Sequence, residues 1–239
     1  MAEGFKPRSA PYTVAGTRAD IDEGLRTYML RVYNYMASAL LLTGIVALGV
    51  AQSPALLHAI FGTPLQWVVM LAPLGLVMFL GFRINQMSVQ AAQATFWAYA
   101  ALLGVSISFI FVVYTGASVA RIFFITSAAF GGLSLYGYST KRSLSGFGSF
   151  LVMGLIGLVI AMVVNMFLQS PAMMYIISVA GVLIFAGLTA YDTQQIKEMY
   201  YESDSSEVAV KKSVMGALRL YLDFLNLFLM LLQLFGNRR

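Results

Sequence analysis

Long apolar runs separated by short polar breaks make up the chain from residue 32 onward. No Asp, Glu, Lys or Arg occurs in 32–82, 84–120, 122–140 or 143–191. A soluble core cannot hide that much uncharged sequence, whereas a bilayer needs about 20 mostly apolar residues per spanning helix. The pattern predicts seven helices, roughly over 32–51, 65–82, 93–114, 119–138, 147–168, 172–194 and 217–236. Turn residues punctuate them, in QSP and FGTP after the first, YTGAS after the third, STKRSLSGFG after the fourth and LQSP after the fifth. Backbone groups facing lipid must be bonded within their own segment. The expected fold class is therefore all-α, a polytopic membrane protein built as a bundle of seven transmembrane helices.

Composition agrees, since 10% of the chain is charged where soluble domains run near 25%. Residues 1–30 read as a polar tail, with disorder expected in the first 25 or so, and 31–239 as the membrane domain. The tail lacks the apolar core of a cleaved signal peptide. There is no cysteine, which excludes a disulfide framework, a thiolate metal site and a cysteine nucleophile. The formal charge of +5 is spread along the chain and lacks the clustered basic face that nucleic-acid binding needs.

Basic residues instead report topology. With the N-terminus in the cytoplasm, twelve Lys and Arg fall inside and three, Arg121, Arg238 and Arg239, outside. Seven spans then put the C-terminus outside, which leaves NRR on the disfavoured side; a re-entrant last helix would remove that anomaly. Small residues at four-residue spacing, Ala128 with Gly132 and Gly157 with Ala161, are expected to mark close helix packing.

The last helix carries the most information. At 100° per residue, Arg219, Asp223, Asn226, Gln233 and Asn237 form one stripe on an otherwise apolar helix. A charged side chain facing lipid at a helix centre costs roughly 2.5 to 3.5 kcal/mol, so the stripe should face inward and the helix should be enclosed by the others. Asp223 lies about five residues, or roughly 7 Å, from the expected helix start. Asp192 ends the preceding, antiparallel helix at a similar depth. Arg83 closes the second helix at the same surface. Two acids and one base at one level make a candidate site. Taken singly, Asp192 also reads as an interfacial acid reaching water, and Asp223 as the partner of Arg219 one turn earlier.

SLYGYSTKRSLSGFGSF, GLTAYDTQQIK and LYLDFLNLFLMLLQLFGNRR, in this order, closely resemble the Bax inhibitor-1 family in its bacterial branch. The resemblance covers the chain after about residue 25. It implies a seven-helix bundle with the last helix central, residing in the bacterial inner membrane. It further implies a pH-sensitive calcium leak, with a proton-sharing aspartate pair carried over onto Asp192 and Asp223 and a latching arginine onto Arg83. Two departures stand out. Relatives often have Arg where LLQLFG has Gln233, and some carry an acid in the second helix, where WVVMLAPLGLVMFLGF has none.

The chemistry follows from proximity. Two carboxylates a few ångströms apart in a dry setting cannot both ionise easily, so they titrate as a unit. Calcium takes 6 to 8 oxygen ligands; two aspartates with carbonyls, Asn226 and water make a weak site, which suits permeation. No tightly bound cofactor is expected. The expected partners are the lipid bilayer, calcium and protons.

Rival readings differ in class. A non-transporting regulator that binds a membrane protease or quality-control partner is one, and the resemblance permits it. Intramembrane aspartyl proteolysis is another, since Tyr191-Asp192 matches its first motif. YLDF does not match its second, however, and PAL at 54–56 lies far upstream. Serine proteolysis fails because the sole histidine, His58, falls in an outer loop. The fourteen methionines are dispersed and read as packing residues. The expectation is a channel and not an enzyme.

Overall fold

The computed structural model describes residues 18–239. Nine α-helices follow one another among them: α1 (Arg18–Ala51), α2 (Pro54–Phe61), α3 (Leu65–Arg83), α4 (Val89–Ile107), α5 (Ile110–Val113), α6 (Gly116–Ser139), α7 (Ser145–Leu168), α8 (Pro171–Glu198) and α9 (Ser206–Phe235). Seven segments are long and apolar enough to cross a membrane, the third of them joining α4 and α5. Residues 18–30 of the expected polar tail are helical; the expectation of disorder over 1–17 lies outside the described residues.

Helix starts follow local chemistry. The hydroxyls of Ser53, Ser88, Thr115, Ser170 and Ser205 each accept a backbone N–H from the first turn of α2, α4, α6, α8 and α9, satisfying donors that a helix leaves unpaired. Proline follows at the first helical position of α2 and α8, where its missing N–H costs nothing. α7 ends at Gln169 in the left-handed region, φ 51°.

The core surrounds α9. Of its most apolar window 61% is buried, against 17–33% in the other six spans, and it packs on α8, α1, α6 and α4. α3 and α7 are peripheral and present large side chains such as Leu71, Phe82, Ile160 and Phe167 outward, as bilayer solvation allows. Tyr221 on α9 is fully buried and its hydroxyl meets Thr43 Oγ1 at 2.6 Å, while Thr43 donates to Ala100 O at 2.9 Å. That joins α9, α1 and α4 in one bonded set.

Close packing occurs at glycines other than those expected. Of the four small residues expected at packed faces, Ala161 packs against the core, whereas Ala128, Gly132 and Gly157 are exposed, and a Cβ on either glycine would meet nothing within 4 Å. Gly137 instead presses against the Ala190 backbone, and Gly148 against the Tyr191 ring. Four-residue spacing fails as a guide here because α6 and α7 turn those faces toward lipid.

The C-terminal arginines are held at the end of α9. α9 is one unbroken helix of 30 residues, not a re-entrant one. Residues 236–239 then run beside the α5–α6 junction, with Thr115 N donating to Asn237 O at 3.0 Å and Arg239 N to Val113 O at 2.9 Å. Arg121 donates to Phe235 O at 3.4 Å, and the Arg238 guanidinium lies 5.9 Å from the Tyr114 ring. Cations belong where a helix leaves carbonyls unpaired at its negative end.

Candidate functional site

α9 begins at Ser206, well before the expected 217, and α8 continues to Glu198, past the expected 194. The two acids nonetheless share a level. The added turns of α9 extend beyond α8, where Lys212 donates to Met199 O at 2.9 Å and pairs with Asp204 at 2.6 Å. Gly216 packs on Ile196 and Gly181 on Met230, an antiparallel register that sets Asp192 beside Asp223.

Within this stretch of α8 the Thr189 and Thr193 hydroxyls donate one turn back, to Phe185 O at 2.8 Å and Thr189 O at 2.7 Å. Ser134 of α6 meets Thr193 Oγ1 at 2.9 Å and Tyr33 of α1 at 2.5 Å. Gln194 binds the α6–α7 loop, and Lys197 donates to Tyr138 O at 2.8 Å. The residues on both sides of Asp192 are thereby tied to α1, α6 and the following loop.

The carboxyl groups of Asp192 and Asp223 lie within side-chain hydrogen-bonding reach of each other. The Asp223 residue is 5% exposed, and its Oδ2 is buried without a hydrogen-bond partner among the described residues. Arg219 Nη1 stands 4.0 Å from Asp192 Oδ1, with side chains 43% and 16% exposed respectively. At that separation the guanidinium supplies charge without a formed hydrogen bond. One proton shared by the pair makes Asp192, Asp223 and Arg219 together neutral, the arrangement that costs least to bury.

Arg83 does not join them. It sits exposed at the end of α3 and donates to Gln86 Oε1 at 2.6 Å; neither aspartate pairs with it among the described residues. α3 packs mainly on α4 and α2, a layer away from α8 and α9. The alternative reading of Asp223 paired it with Arg219 within its own helix, but the ion pair of Arg219 crosses to Asp192. A one-turn spacing cannot distinguish those partners.

The rest of the stripe divides by position. Asn226, half-buried, donates to Leu222 O at 2.9 Å. Gln233 accepts from Tyr114 OH at 3.0 Å, roughly 15 Å along α9 from Asp223. Asn237 lies past the helix end and is exposed. His58 is exposed on α2. Among the described residues no three acidic or histidine side chains gather as a metal-ligand group, so a cation at the pair would draw its other ligands from neutral oxygens. The roles of Gln194 and Thr193 had no signal in spacing, because their partners lie about 50 to 60 residues away in the chain.

The family profile described as "Inhibitor of apoptosis-promoting Bax1" matches residues 25–239. The chain belongs to the Bax inhibitor-1 family. An uncharacterized protein of Rickettsia prowazekii is 50% identical over 227 residues, covering 95% of this chain and 96% of its own. An uncharacterized protein of Caulobacter vibrioides is 47% identical over 240 residues, with the same coverage. The inner membrane protein YbhL of Escherichia coli is 48% identical over 219 residues, covering 90% of this chain and 94% of its own. The Bax inhibitor-1 match spans all seven apolar segments except the first two residues of the first, and contains Asp192, Asp223, Arg219 and Arg83.

Proposed function

We propose that this chain is a pH-sensitive calcium leak of the inner membrane, gated by the proton shared between Asp192 and Asp223. The observation that carries the reading is the meeting of these two carboxyl groups on α8 and α9, with Asp223 Oδ2 buried and unpartnered. A carboxylate oxygen in that setting requires a proton, a cation or water. Calcium, protons and a guanidinium compete for the pair, and the occupant biases a closed-to-open equilibrium. Arg219, not Arg83, has the position for the guanidinium's part in this conformation.

Calcium binding is weak in this scheme. Two carboxylates, the Asn226 side-chain carbonyl, backbone carbonyls and water supply its oxygens, and weak binding lets the ion leave. The membrane assignment is supported by the Escherichia coli relative, an inner membrane protein. Lys and Arg placement supports a cytoplasmic N-terminus and a C-terminus outside.

Calcium flux through the purified protein in proteoliposomes, followed from about pH 6 to 8, tests the proposal. Wild type should change flux across this range, and Asp192→Asn with Asp223→Asn should remove the change. A double variant that retained the wild-type pH dependence would overturn the gate. Absence of flux together with a stable co-purifying membrane protein would favour the regulator. Cleavage of a transmembrane peptide, lost in either Asp→Asn variant, would favour an aspartyl protease.

A further inference from the structure

At the end of the bundle opposite the aspartates, a crevice of about 530 Å³ opens between α1, α6 and α9. It follows α1 from Leu40 to Gln52, roughly 18 Å at 1.5 Å per residue. Its walls are recessed, not merely apolar: Gly44 and Ala47 of α1 face Gly116 and Ala120 of α6 across it, and a Cβ on Gly44 or Gly116 would meet nothing within 4 Å. The volume lies within the usual range for a ligand pocket, about 300 to 1,000 Å³.

The lining includes one charged residue, Arg239. Its backbone N–H is fixed to Val113 O at 2.9 Å, and Arg238 and Arg121 are held at the same end by Tyr114 and Phe235. Among the described residues no Asp or Glu lies at this end; all of them fall at 20–23 or 192–223. An apolar slot running along the membrane and ending at a cationic cluster with no acidic side chain beside it is complementary to one molecule of the surroundings, a phospholipid with an anionic headgroup. We propose that this crevice binds an anionic phospholipid, one acyl chain lying along Gly44 and Gly116 and the phosphate at Arg239.

Native mass spectrometry of the full chain, purified from an equimolar mixture of phosphatidylglycerol and phosphatidylcholine, tests this. Phosphatidylglycerol should be retained over phosphatidylcholine by about fivefold for each arginine engaged. Gly44→Leu fills the crevice from a position with free space around it and should abolish retention of either lipid. Arg239→Gln keeps its backbone bond and should lose the preference while retaining some lipid. Gly75→Leu on α3, where an added Cβ also meets nothing within 4 Å, should behave as wild type. Equal retention of the two lipids by wild type, or unchanged retention in Gly44→Leu, would overturn the proposal. A lipid-free dimer disrupted by Gly44→Leu would assign the crevice to a second copy instead.

Discussion

Gln194 on α8 holds the α6–α7 loop from both sides at Leu144, its Oε1 accepting from Leu144 N at 2.7 Å while its Nε2 donates to Arg142 O at 2.9 Å. The pairing anchors the start of α7 two residues beyond Asp192. Gln194→Ala removes both bonds and leaves a backbone donor and acceptor to find water. Each such bond contributes roughly 0.5 to 1.5 kcal/mol, so the variant should lose about 1 to 3 kcal/mol, read as a lowered thermal midpoint in detergent. Gln194→Glu should recover part of it, since a carboxylate still accepts from Leu144 N.

Tyr221→Phe tests the central helix. The change removes the hydroxyl that meets Thr43 and leaves Thr43 bonded to Ala100 O. Hydrogen bonds between membrane helices are worth about 0.6 kcal/mol on average and up to about 1.7. A loss in that range is expected from thermal or denaturant unfolding, with the pH profile of flux unaltered.

Much of this architecture was legible because bilayer and sequence impose the same constraint. Charge-free runs marked six of the seven spans, and the apolar remainder of α9 announced an enclosed helix, as its burial bears out. The stripe itself does not face inward as a whole, since only Asp223 is buried, Asn226 and Gln233 are half-buried, and Arg219 and Asn237 are exposed. What escaped was set by partners distant in sequence. The added turns of α9 carry Lys211 and Lys212, so an apolar window could not include them, and they are stabilised by Glu207 and Asp204. Arg83 was placed by depth and by a resemblance in a poorly matched segment, and neither says which helices adjoin α8. Small-residue spacing likewise reports that a face is narrow without reporting whether lipid or a helix lies against it.

Gly137 and Gly132 make that last distinction measurable. A methyl on Gly137 overlaps the Ala190 carbonyl, backbone that cannot swing aside, whereas one on Gly132 meets open space. Gly137→Ala should cost about 1 to 3 kcal/mol through forced separation of α6 and α8. Gly132→Ala should be neutral or slightly stabilising, because alanine favours the helix. Side-by-side unfolding of the two variants decides; equal effects would contradict the contact.

The arginine assignment yields the sharpest comparison. Arg219 carries its charge 4.0 Å from Asp192, while Arg83 is bonded to Gln86 at the end of α3. A nearby cation favours the ionised form of a carboxyl pair, so removing it makes loss of the shared proton harder. If the proposed pH-dependent flux is observed, Arg219→Gln should therefore move its midpoint to higher pH, whichever direction of pH opens the pathway. Arg219 is partly exposed, so water screens its charge, and the shift should be a fraction of a pH unit to about one unit. Arg83→Gln should leave the midpoint within error. If Arg83→Gln moved it and Arg219→Gln did not, a second conformation that brings α3 to the aspartates would have to be the one that gates.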